Sequence, residues 1–202
     1  LNIPIYVLNT NKPDEAGTKI CRSSDINDKF VTGIAGKKNF TVLLIEKSLM
    51  NAEIGFVGKV LSVLGKHGIS FEHLPSGIDT MSMVIDNAYL KNGVLEEVME
   101  EIKQLVHPDK IYAHENIALV ATVGYGMAKN VGTSARLFSA LANAGINVMM
   151  IDQGSSELNI IVGVSKDDFA GSIRAIYREF FNWQKKERKM VETCQVELKE
   201  LY

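Results

Sequence analysis

The sequence predicts an α+β chain made of two βαββαβ modules, the first inserted within the second, and three observations carry that prediction. A set of residues recurs in register at an offset of about 77 positions. Met50, Gly55, Ser62, Leu64, Gly68, Ile69 and Gly77 reappear as Met127, Gly132, Ser139, Leu141, Gly145, Ile146 and Gly154. Within each copy the apolar period switches between strand-like and helix-like in the same order. Finally, the second copy lacks a last strand, while a short apolar run with no partner of its own precedes the first copy. A period this long does not suit a solenoid of stacked repeats, so it implies two duplicated small domains with room for a ligand between them.

In the first copy, Phe40 to Ile45 is a short β-rich apolar run. Val57, Val60, Leu61 and Leu64 then follow at helical spacing and end at Gly68, a natural helix stop. Ile69 to Leu74 alternates apolar and polar residues, Pro75-Ser76-Gly77 makes a turn, and Met81 to Ile85 alternates again, which reads as a hairpin. Val94, Leu95, Val98, Met99, Ile102 and Leu105 line one helical face, and a last strand runs from Lys110 to about His114. This order is the ferredoxin-like motif. The second copy repeats it through Ile117–Val123, Ala135–Ala144, Ile146–Asp152, Leu158–Val164 and a helix from about Asp168 to Phe181. Its missing edge strand is expected from Val31 to Ala35. The division this predicts is 1–29 ahead of the repeat, 37–115 for the first module, 30–36 plus 116–181 for the second, and a charged helical tail over 182–202.

Composition narrows the function classes. The 202 residues carry a formal charge of -2, without the basic excess of a nucleic-acid binder. The run Lys185, Lys186, Arg188 and Lys189 reads as a solvated helix face. An RNA-binding ferredoxin-like domain would expose aromatics on its central strands, and these carry Leu, Val, Met and Ile instead. Cys21 and Cys194 are too few for a disulfide framework or a zinc site, which fits a reducing compartment. No stretch resembles a signal peptide or approaches the ~20 apolar residues of a membrane helix. A cytoplasmic chain with neither nucleic-acid nor membrane partners is expected.

Glycine-rich turns between strand and helix are where chemistry would sit. Val123-Gly124-Tyr125-Gly126-Met127 superficially resembles a dinucleotide fingerprint, but the third glycine is missing and the units are too small for a doubly wound sheet. His67, His73, His107 and His114 have no metal-ligand spacing, and no Ser, Cys or paired-carboxylate centre stands out. The better candidate lies in the first copy, in Met50–Val57 together with Ser70–Asp79. Gly55-Phe56-Val57-Gly58 opens a helix whose free N–H groups favour an anion such as a carboxylate. Glu72 and Asp79 stand on and just beyond the adjacent strand, where either would meet an ammonium group. The bland alternative is that Gly55 permits a turn, Phe56 fills the core and the acids are solvated.

At these residues the chain resembles the aspartate kinases, in their C-terminal regulatory region of paired ACT domains. The second copy carries the pattern in Val123-Gly124-Tyr125-Gly126-Met127, Gly132, Phe138-Ser139-Ala140-Leu141, Ile146-Asn147, Met150-Ile151 and Gln153 to Ile160. The first copy, with Ser70-Phe71-Glu72-His73-Leu74-Pro75-Ser76-Gly77-Ile78-Asp79, resembles the monofunctional bacterial type that responds to lysine, in some members together with threonine. Ile3-Pro4-Ile5, Asn9 to Pro13 and Gly17-Thr18 resemble the last segment of the family's amino-acid-kinase domain, which speaks against an ACT module of another amino-acid enzyme. The resemblance implies no catalytic residue and no cofactor in this chain, ATP and magnesium belonging to a kinase domain of the same polypeptide. Leu1 in place of an initiator Met favours a fragment over a natural regulatory subunit.

The resemblance also implies an effector site at Met50, Glu53, Gly55, Phe56 and Val57, faced by Ser70, Phe71, Glu72, Ser76, Gly77, Ile78 and Asp79. In lysine-inhibited relatives the position of Glu53 can be a small hydroxyl residue, so the carboxylate departs from that pattern. Met127, Val131, Gly132, Asn147 and Val148 resemble a face that in the family is either a second effector site or an interface. A homodimer joined through its ACT modules, with lysine and in some cases threonine as effector, is the partner set this implies.

Overall fold

The computed structural model describes residues 3, 5–20 and 31–182. A short antiparallel pair comes first, β1 (Ile5–Val7) with β2 (Thr18–Ile20). The first repeat follows as β3 (Gly33–Glu46), α1 (Phe56–Lys66), β4 (Phe71–His73), β5 (Thr80–Asp86), α2 (Val94–Val106) and β6 (Lys110–Val123). After it come α3 (Thr133–Asn143), β7 (Met150–Asp152), β8 (Asn159–Ser165) and α4 (Phe169–Tyr177), which continues into a wider π turn at Arg178–Asn182. The predicted tail beyond residue 182, with its basic run, lies outside the described residues.

β3 to β8 form a single antiparallel sheet in the order β4-β5-β3-β6-β8-β7. Its two central strands are 14 residues long, and each serves both modules. Phe40–Glu46 of β3 pairs with β5 and, from Val42 onward, with Lys110–His114 of β6, which makes the first ferredoxin-like set with β4. Gly33–Lys38 of the same β3 pairs with Ala118–Val123 of β6, whose other edge carries β8 and then β7. The spare edge strand expected from Val31 to Ala35 thus runs from Gly33 to Lys38. It lies on the chain before the first module, so that module is threaded through the second. Two expected strands are shorter than their apolar alternation suggested: pairing is confined to Phe71–His73 and Met150–Asp152. Both are edge strands, where one side of the ladder has no partner to extend it.

Where each long strand passes from one module to the other, an asparagine takes a left-handed conformation, Asn39 at φ 70° and Asn116 at φ 60°. These positions are repeat equivalents, and the β3–β6 register shifts beside them, between Lys38 and Phe40 and between Phe40 and Val42. An extra residue in a strand exchanges the faces of everything beyond it. Accordingly Ile34 packs under the second module's helices while Leu43 and Ile45 pack under the first module's. On β6 the set changes from Ile111 and Ala113 to Ala118 and Val120. The parity change keeps all four helices on one face of the sheet.

Three cores result. Leu43, Ile45, Met81, Met83 and Ile85 are covered by Val60, Leu64, Val98 and Ile102 of α1 and α2. Ala118, Val120, Val162 and Val164 are covered by Leu137, Leu141 and Ile176 of α3 and α4. A third cluster, Phe40, Val42, Val84, Ile117, Leu119 and Met150, contains strand residues only and occupies the face without helices. The sheet curls around it, so that β4 and β7, last in the strand order at opposite ends, come together at His73 and Asp152. Gly163 of β8 leaves room for its register partner Met150 of β7: a Cβ there would stand 3.1 Å from that of Met150.

Candidate functional site

The loop after β3 begins with a 3-10 turn at Met50–Ala52, passes through extended Glu53 and reaches Gly55, which caps α1 at φ 80°. A residue with a Cβ is strained in that conformation, which explains the glycine. Gly132 does the same for α3 at φ 92°. No side chain caps the first turn of α1; the Phe56 N–H donates to the Glu53 carbonyl at 3.2 Å, which leaves the next N–H groups, of Val57 and Gly58, without an intrahelical acceptor. A cleft of about 280 Å³ opens there. Of the predicted set, Met50, Glu53, Gly55, Phe56 and Val57 line it from the helix side, and Ser76 and Gly77 close it from the turn before β5. Asn51 and Gly58 join them. Met50 and Phe56 are buried in the first core and act as its floor.

The charges are arranged differently from the expectation of free acids awaiting an ammonium group. Glu53 lies 2.6 Å from Lys47 Nζ and 2.9 Å from Lys59 Nζ. The two ammonium groups, Lys47 first, hold its carboxyl below the usual carboxylate range. Lys47 Nζ also donates to the Val106 carbonyl at the end of α2, at 2.5 Å, and stands 5.3 Å from the centre of the Phe56 ring. Asp79 accepts from the Leu49 N–H at 2.8 Å, while its carbonyl accepts from the Lys47 N–H at 2.8 Å. The Ile78 carbonyl accepts from the Asn51 N–H at 3.1 Å. Asp79 and Ile78 therefore brace the loop instead of lining its cleft. Lys47 and Lys59 were missed in the sequence because no motif marks them. The hint was a lysine six positions to either side of Glu53, a spacing that becomes contact only when the chain turns back on itself around it.

The remaining first-copy residues go elsewhere. Ser70 and Phe71 line a separate groove of about 450 Å³ with Leu61, Gly65 and Gly68. Glu72 lines a third hollow with Lys37 and His73. Within one chain, the strand side and the helix side of the predicted site do not converge. In the second copy Met127 is buried, Val148 is half-buried against the second core and Asn147 is exposed. Val131 is 98% exposed, and its repeat equivalent Ile54 is 96% exposed. Two β-branched apolar residues standing free just before equivalent helix caps form a matched pair of apolar points, one per module.

Three of the four histidines have structural partners: His67 Nε2 is 3.0 Å from Glu101, His73 pairs with Asp152, and His114 meets Tyr112 edge-on. Among the described residues no cluster of three His, Cys, Asp or Glu side chains is placed to hold a metal ion, and no helix is long and apolar enough to cross a membrane.

The family model for the ACT domain matches residues 120–180. Aspartokinase 3 of Bacillus subtilis is 38% identical over 179 residues, covering 89% of this chain and 39% of that protein. The crystal structure of an aspartate kinase from Clostridium acetobutylicum, described as an allosteric enzyme, superimposes with a TM-score of 0.82 at 50% identity, covering 89% of this chain and 42% of that one. E. coli aspartokinase III, in a complex with lysine and aspartate described as the T-state, shares the fold with a TM-score of 0.72 at 24% identity, over 89% of this chain and 39% of that one. The chain thus spans about two fifths of the length of these relatives.

Proposed function

The chain belongs to the aspartokinases, as the ACT-containing regulatory region of that family, and from this premise we propose that its first module senses an end-product amino acid on behalf of a kinase domain in the same polypeptide. That kinase would convert ATP and L-aspartate to 4-phospho-L-aspartate, with ATP and magnesium held by residues outside this chain. The observation that supports the reading best is the cleft of amino-acid size at the start of α1, where helix N–H groups without a side-chain cap open beside Glu53, itself paired with Lys47 and Lys59. A free carboxylate would settle at that positive end, and lysine, alone or with threonine, is the proposed effector. Lysine also accompanies the T-state structure of the E. coli relative.

Phe71 opens the outer edge strand β4 and Ser70 immediately precedes it, away from the cleft. They would complete it only from a second copy, which makes a homodimer paired through the ACT modules part of the proposal. The effector then acts by binding one arrangement of the pair more tightly than the other. A typical coupling of ~1 to 3 kcal/mol corresponds to a shift of ~5- to 150-fold. Calorimetry of this chain with lysine, threonine and both together tests the assignment. Binding heat with lysine that is altered by Lys59→Ala supports it, and the absence of heat with all three at millimolar concentration overturns it.

A further inference from the structure

The curl of the sheet creates a hollow that belongs to neither module alone. It measures about 250 Å³ and lies on the helix-free face, between β4 of the first module and β3, β6 and β8 of the second. Its floor is Leu119, Ala121 and Ile161, with Phe40 at one side. The space exists because small residues meet: Ala35 and Ala121 are register partners, and Gly36 adjoins them. On the opposite, helix-covered face a Cβ at Gly36 would lie 2.6 Å from the Phe169 ring, so this glycine lets the start of α4 approach β3.

The rim carries three ionisable groups, and two are matched within the protein. Lys37 Nζ lies 2.6 Å from Asp86, and His73 Nδ1 lies 2.6 Å from Asp152. Glu72 is exposed and, among the described residues, makes no hydrogen bond or ion pair; it acts on Lys37 only as a more distant charge. The rim therefore holds one carboxylate in excess above an apolar floor. The complementary ligand is a cation with a compact hydrocarbon body.

We propose that this hollow binds a small primary amine, its ammonium group paired with Glu72 and its apolar body resting on Leu119, Ala121 and Ile161. An aliphatic amino acid and a simple amine share this chemistry. Because the walls come from both modules, such a ligand reads the angle between them, independently of the cleft at the start of α1.

The test is calorimetry of the full 202-residue chain with three probes that share an isobutyl group: 3-methylbutylamine, L-leucine and 3-methylbutanoate. Binding of the amine without the carboxylate is expected. Added binding by leucine identifies an amino acid as the natural class, and its absence identifies a plain amine. Glu72→Gln should weaken the amine roughly fivefold, the scale of an exposed ion pair. Ala121→Leu should fill the hollow and abolish amine binding while leaving any lysine or threonine binding unchanged, which separates this site from the first cleft. Amine affinity unaltered by Glu72→Gln, equal binding of the carboxylate, or no heat from the amine overturns the proposal.

Discussion

His73 Nδ1 lies 2.6 Å from Asp152 Oδ2, and this contact joins strands at the two opposite ends of the six-stranded order. Both side chains are partly exposed, at 18% and 38%, so its contribution is modest in energy although large in span. His73→Ala and Asp152→Asn should each reduce the unfolding free energy by about 0.5 to 1 kcal/mol. Urea denaturation of the two single variants and the double variant gives the coupling between them. Additive losses would mean that the pair does not act as a clasp.

The two modules should unfold together. β3 and β6 each contribute one half to either module, so neither can lose its sheet without breaking two strands of the other. Phe40→Ala, in the cluster between the modules and 1% exposed, should cost about 3 to 5 kcal/mol. It should still leave a single transition, coincident by far-ultraviolet circular dichroism and tyrosine fluorescence. Two separated transitions would show the modules to be independent.

Stability should fall in acid. Several carboxyls are held below their ordinary range: Glu53 by Lys47 and Lys59, Asp86 by Lys37 and the Ala88 N–H, Glu101 by Lys66 and His67, and Asp109 by the Ser48 N–H and hydroxyl. A carboxyl with a lowered folded-state pKa adds stability above its unfolded value, and that stability is lost as pH falls through the folded value. The urea midpoint should therefore be nearly flat at neutral pH and decline from about pH 4 downward. Combining Glu53→Gln with Glu101→Gln should flatten that decline.

Gly55 supports the cleft through its backbone. At φ 80°, with nothing within 4 Å of where a Cβ would stand, Gly55→Ala introduces strain without a clash and should cost about 1 kcal/mol. It should also weaken effector binding more than a comparable substitution at Gly65, which has equal space but lies at the far end of α1. A thermal-shift series with and without effector separates the two effects.

The repeat was legible because it is written in residue types that local structure demands. Gly55 and Gly132 recur as left-handed helix caps, Gly68 and Gly145 as positive-φ stops, and the apolar periods mark helices that bury one face. The missing strand was legible by elimination. The loop Met50–Val57 was recognisable as a place for a ligand because a helix begins there without a capping side chain.

Tertiary structure alone decided the rest. The pattern of apolar residues shows which face of a strand is buried, yet not that β3 and β6 run unbroken through both modules, since the left-handed Asn39 and Asn116 look like ends in a one-dimensional reading. It also does not show that the sheet curls until His73 meets Asp152, or that Lys47 and Lys59 neutralise Glu53 while Glu72 faces a different hollow. Periodicity is a property of neighbours along the chain and is printed in the sequence. The pairing of charges depends on distances of about 3 to 4 Å between side chains that are not neighbours along the chain, and only the folded chain sets those distances.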